Sequence, residues 1–210
     1  GLGAKCRYCK RKISWQYPIV ELTTGLLFVF SLGTKLTNTG GIIALNLGIL
    51  SNNYIILVFQ LILISGFIAI FFSDLKYRII SDQILLTLII STLIYEFIYQ
   101  RDLILPNLLI GILIFTFFTT LFTATKGRGI GFGDVKFSFL MGFLLGFPRV
   151  IVAFYLAFLT GAIFSLILIF IGVKSMKSTI HFGPFLVIST YVSLYWGFSL
   201  WASFIKFVGL

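Results

Sequence analysis

Three uninterrupted apolar runs set the first limit on this chain. Residues 150–173 and 182–205 each run 24 residues without a charge, and 103–125 runs 23. Crossing a hydrocarbon core about 30 Å thick takes roughly 20 helical residues at about 1.5 Å rise each. Each run therefore predicts a transmembrane helix. The uncharged stretch 36–73 is too long for a single helix. Its polar breaks "TNTGG" and "SNN" predict a loop with a short interfacial piece, then a span over about 54–72. Further spans are expected over about 18–33 and 79–99. The stretch 137–148 is too short to cross alone, and extending it back to Gly129 brings Asp134 and Lys136 inside. Seven crossings follow, and the fold class is an all-α, polytopic membrane helix bundle.

Composition agrees: 59% of the 210 residues are hydrophobic and only 10% are charged, outside the range of soluble globular domains. The net charge of +10 comes from 16 Lys+Arg against 6 Asp+Glu. If residue 1 lies on the cytoplasmic side, 12 of the cations fall in inside segments and 4 outside (Lys35, Arg101, Arg149, Lys206). That alternation follows the positive-inside rule and places the C-terminus outside. The charge therefore reads as topology and lipid contact, and no nucleic-acid partner is expected. Two regions are expected: a cytoplasmic loop over 1–17 and an integral membrane domain over 18–210. With no initial Met and no signal peptide, the chain is expected to start within a longer product.

The six acids are Glu21, Asp74, Asp82, Glu96, Asp102 and Asp134. Asp102 and Glu96 fall in or beside an outer loop, and a solvated structural role is expected for both. The other four map to the cytoplasmic side or the membrane just beneath it. Asp74 ends one long apolar helix, and Asp134 opens another after the turn "GRGIGFGD". Intramembrane acids are costly and generally face the bundle interior or a wet cavity. Two carboxylates at one depth can share a proton, leaving one ionised base and one acid. Such a pair activates water and protonates an amide leaving group. Gly131 and Gly133 are expected to supply positive φ and close backbone approach. The bland alternative is a helix-initiating turn with Asp134 as N-cap. Asp82, eight residues past Asp74, would lie about 12 Å away along an unbroken helix.

Several stretches, in order, resemble the type IV prepilin leader peptidases, Gly-x-Gly-Asp aspartic proteases of the membrane. "GFGDVK" is similar to their Gly-x-Gly-Asp signature, "DLKYRIISD" (74–82) to their Asp-x5-Ile-Pro-Asp segment, and "HFGPFL" (181–186) to Phe-Gly-Pro-Phe. "KCRYCKRKISWQYPIVELTTG" (5–25) resembles the end of their cysteine loop and the Tyr-Pro-x-x-Glu-Leu helix start. Ser81 departs from the pattern, standing where proline is usual. An earlier helix and an earlier Cys-x-x-Cys pair of the longer family members have no counterpart here.

The resemblance implies catalysis by Asp74 and Asp134, and Gly131, Gly133, Asp82, Lys76, Lys136 and Glu21 are expected beside them, shaping the site or binding substrate. It implies pilin-like precursors with a basic leader and a hydrophobic helix, cut on the cytoplasmic face of a bacterial inner membrane, in type IV pilus assembly and protein secretion. No cofactor is expected for proteolysis. N-methylation of the new terminus with S-adenosylmethionine stays open. Cys6 and Cys9 supply half a structural zinc site at most, so zinc is not expected in this chain alone. His181 is expected to be structural or interfacial, and Gly142 and Gly146 to let a neighbouring helix approach. Glu21 is expected to be a buried polar tie. Lys76 and Lys136, each two residues past an aspartate, read either as its cationic neighbour or as topological charge. Two rivals remain: an archaeal preflagellin-type peptidase, against which "YPIVEL" argues, and a proton-coupled transporter, which would more often show internal repeats and acids near the midplane.

Overall fold

The computed structural model describes residues 14–33, 54–127, 130–172 and 182–209. Cys6, Cys9 and His181 lie outside the described residues. All the regular structure among them is helical: α1 (Gln16–Gly33), α2 (Tyr54–Tyr77), α3 (Asp82–Tyr99), α4 (Arg101–Ala124), α5 (Phe132–Leu145), α6 (Arg149–Phe170) and α7 (Gly183–Val208). The seven correspond one for one to the seven expected spans. Five of them (α2, α3, α4, α6 and α7) are long and apolar enough to cross a membrane. The protein is thus a multi-pass helical membrane bundle. Its outward surface carries large apolar side chains such as Leu113, Tyr155 and Leu166, as a lipid-facing surface must.

The fifth helix is the hub. Val135, Phe137, Leu140 and Met141 on it have no exposed surface at all. A helix that is apolar on every side belongs in a core, and α5 packs against α2's partners α3 and α7 as well as α4 and α6. Its contact with α4 is the tightest. A Cβ on Gly142 would stand 2.7 Å from the Gly111 Cα, and one on Gly111 would stand 3.1 Å from the Phe139 carbonyl oxygen. The expectation for Gly142 holds, with Gly111 as the partner. Gly146 also admits α4, packing against the Asn107 side chain, and it ends α5 besides, at φ 61°, a conformation that costs a side chain.

The expectation for Glu96 is overturned. It is buried, 2% exposed, because Gln100 is the only residue between α3 and α4. The tight reversal lays Asn107 over it, and Asn107 Nδ2 donates to Glu96 Oε1 at 2.7 Å. Asp102 is exposed, as expected.

α1 packs on α2 and meets α7 through Phe30, whose ring lies 5.7 Å from that of Tyr195 and 6.0 Å from that of Trp196. These contacts gather at the end away from Asp74. Toward Asp74 the two helices stand apart.

Candidate active site

Four helix ends converge at one end of the bundle: the last turn of α2 and the first turns of α3, α5 and α7. α2 stops because Arg78 takes a left-handed conformation, φ 58°, which costs a non-glycine residue about 1–2 kcal/mol. Its N–H donates to the Asp74 carbonyl at 3.0 Å. The Ser73 hydroxyl then holds the Ile79 carbonyl at 2.8 Å. Ser81 is extended, with φ −69° and ψ 124°, and α3 begins at Asp82. The Asp74–Asp82 segment therefore contains a helix break, and the two acids stand on different helices.

Asp134 is the third residue of α5, whose N-cap is Gly131. The Asp134 N–H donates to the Gly131 carbonyl at 3.1 Å. The bland N-cap alternative therefore falls. So does positive φ: Gly131 has φ −73°, and Gly133 is helical with none. The glycines matter through their missing Cβ atoms. A Cβ on Gly133 would stand 3.2 Å from the Ile80 side chain, and one on Gly131 would stand 3.3 Å from Asp134 Oδ2. The two motifs, 74–82 and 131–134, thus pack directly on one another.

Between them lies a cavity of about 420 Å³. Asp74, Asp82, Gly131, Gly133, Asp134 and Lys136 line it, with Arg78, the 79–81 link, Gln83 and Phe132. Asp74 is 7% exposed, and Asp134 is half-buried. At the rim, Lys136 Nζ donates to both Asp82 carboxylate oxygens, at 2.7 and 2.8 Å. This ion pair ties α3 to α5. Lys136 thus serves Asp82, not the Asp134 two residues before it.

The structure gathers Asp74, Asp134, Asp82, Lys136, Gly131 and Gly133 and leaves two expected residues out. Lys76 is exposed, its ammonium 5.0 Å from the centre of the Tyr77 ring. Glu21 is exposed on α1 rather than buried as a polar tie, because α1 rests only one face on α2 and 21 points off it. Gly183 joins the site from α7. A Cβ there would lie 2.7 Å from Asp74 Oδ2 and 2.8 Å from its Cγ. The Phe-Gly-Pro-Phe stretch was visible in sequence, but nothing in it showed that its glycine backs onto Asp74. Among the described residues no group of three or more His, Cys, Asp or Glu is arranged to hold a metal ion.

Such a cavity, with two carboxylates on facing helix ends of a membrane bundle, defines a class: membrane proteins with an acid pair near the bundle's edge. Comparison with known proteins narrows it. The model of the type IV leader peptidase family matches residues 61–166, and that of the bacterial peptidase A24 N-terminal domain matches 1–34. The chain belongs to the type IV leader peptidase family. It is similar to the prepilin leader peptidase/N-methyltransferase of Aeromonas salmonicida, 28% identical over 203 residues, 95% of this chain and 64% of that protein. The protein so named in Pseudomonas aeruginosa is 28% identical over 99% of this chain and 68% of its own length. Its namesake in Bacillus subtilis is 26% identical over 96% and 75%. The chain therefore spans a little under two thirds of the Aeromonas relative. No solved structure gives a significant match.

Proposed function

We propose that this chain is an aspartic endopeptidase that removes the basic leader from pilin-like precursors. One observation carries the reading: Asp74 and Asp134 line the same cavity, delivered by the two segments that the family resemblance marks. One carboxylate, ionised, takes a proton from water as the water oxygen bonds the scissile carbonyl carbon. The other, protonated, donates to the carbonyl oxygen. Collapse of the tetrahedral adduct then breaks the C–N bond, as the proton passes to the leaving nitrogen. Like-charge repulsion between close carboxylates keeps one proton on such a pair. Gly131, Gly133 and Gly183 act by what they lack, leaving room for a substrate backbone and for the Asp74 carboxyl. Asp82 and Lys136 hold α3 and α5 in register at the rim.

The site end is read as cytoplasmic, on the cation distribution described above. The precursor's leader would then be presented from the side on which it is made. The relatives' names also carry an N-methyltransferase activity. On this reading Asp74 and Asp134 serve the peptide bond, and Asp82 is paired with Lys136. N-methylation with S-adenosylmethionine stays open.

The test is cleavage of a pilin precursor by membranes containing the chain, with Asp74→Asn, Asp134→Asn and Asp82→Asn alongside. Loss of general acid or base catalysis removes on the order of 10²–10⁴ in rate, so the first two variants should fall at least a hundredfold. Asp82→Asn weakens only an exposed ion pair, typically less than about 1 kcal/mol, and should stay within about fivefold. Full activity in Asp74→Asn or Asp134→Asn would refute the acid pair. Proton-coupled solute uptake in vesicles that lack any cleavage would favour the transporter.

A further inference from the structure

Where α1 and α7 stand apart, they leave a groove of about 270 Å³ floored by α2. Thr23 and Leu27 form one wall, Val187 and Ile188 the other, and Phe67 and Phe71 the floor. The Thr23 hydroxyl donates to its own helix at Ile19 and Val20, so it makes no polar demand on the groove. Ile188 is 50% exposed, so this wall is half open among the described residues.

The groove leads to the acids. Phe71 lies three residues before Asp74 on α2, and Val187 lies four after Gly183, whose Cα backs onto the Asp74 carboxyl. From Phe71 to Ile64, the groove follows α2 for about 10 Å, two helical turns. The other side of the acids has the opposite chemistry: the cavity rim there is Asp82, Gln83 and Lys136. An extended peptide laid across Asp74 and Asp134 therefore meets a polar, acid-bearing rim on one side and a lipid-like channel on the other.

We propose that this groove seats the first two turns of the hydrophobic helix that follows the scissile bond, entering sideways from the bilayer between α1 and α7. The inference rests on the peptidase reading above and adds where the substrate's apolar part is held. Register is then set by the groove, because a helix seated against Phe71 brings the residue before it to the acids. The wedge is closed at its far end by Phe30 against Tyr195 and Trp196, so a bound helix leans out into lipid beyond its first turns.

The experiment uses the full chain in membranes and two substrates: an entire pilin precursor, and a short peptide of its leader and cleavage site without the apolar helix. Ile188→Trp and Leu27→Trp fill the groove, and Leu166→Trp on the outer face of α6 is the control. In the groove variants kcat/KM for the entire precursor should fall at least ten times more than for the short peptide. Equal losses on both substrates, or no loss on either, would overturn the proposal. A benzophenone amino acid at position 188, in an Asp134→Asn background, should crosslink to the precursor's apolar segment. Adducts to lipid alone would mean that acyl chains own the groove. If the unsubstituted chain cleaves neither substrate while the crosslink to the apolar segment still forms, the peptidase reading fails and the groove stands.

Discussion

Gly183→Ala puts a single methyl group between α7 and Asp74. The new Cβ would stand 2.7 Å from Asp74 Oδ2 and 2.8 Å from its Cγ. Ordinary contact begins at 3.4 Å, so about 0.7 Å must be found. Asp74 cannot supply it by rotating its carboxyl alone, because its own Cβ is 3.3 Å from the same methyl. Either the α2 backbone withdraws or the start of α7 does, and in both cases the Asp74 carboxyl leaves its place opposite Asp134. Displacements near 1 Å at reacting groups cost about a hundredfold. Gly183→Ala should therefore lower kcat by roughly 10- to 100-fold on that scale. KM should change little, because the groove proposed to hold the substrate helix lies a turn further on. The assay is precursor cleavage with melting in detergent on the same preparations. Gly25→Ala, whose Cβ would meet nothing within 4 Å, is the control. A Gly183→Ala protein with unaltered kcat would refute the claim that this backbone positions Asp74. The melting temperature should fall as well, since backbone must yield, so kcat is compared at a temperature where both proteins stay folded.

Two further outcomes test the scaffold. Gly142→Ala sets a methyl 2.7 Å from the Gly111 Cα, where only backbone can yield, and overpacking of that kind costs about 1–3 kcal/mol. It should lower the detergent melting temperature, whereas Gly25→Ala should not. Asn107→Leu removes the amide that donates to the buried Glu96, at a cost of about 1–3 kcal/mol. In a double-mutant cycle, Glu96→Leu combined with Asn107→Leu should recover part of that loss.

The helices were legible because uncharged length is a strong signal in a bilayer, and each expected span has its helix. The acids Asp74 and Asp134 were legible because a carboxylate in so apolar a chain must have a reason, and because the flanking motifs carry a family pattern. What escaped were facts of tertiary approach. Gly131 and Gly133 invited an argument from backbone freedom, but their φ angles are ordinary, and the missing Cβ matters because Ile80 and the Asp134 carboxyl come close. Lys136 sits two residues from Asp134 in sequence, but a helix turns such neighbours to different faces, and its ammonium reaches Asp82. Glu96 beside an outer loop looked solvated. Only the one-residue reversal at Gln100 shows that Asn107 covers it. The boundary of α3 moved from 79 to 82 because a left-handed Arg78, which no propensity favours, ends α2 late and leaves three residues outside either helix.

The meeting of four helix ends has a consequence for what the proposed peptidase would leave intact. Asp134 stands in the first turn of α5, and Asp74 in the last turn of α2, with the starts of α3 and α7 beside them. The acid pair is thus reached between helix ends rather than along a helix flank. A finished membrane helix, about 10 Å across and with its amides already paired, offers no free backbone to such a site. A single unwound strand does. On the peptidase reading, the pair would discriminate among the apolar helices of the same bilayer by fold rather than by sequence, sparing whatever has completed its helix.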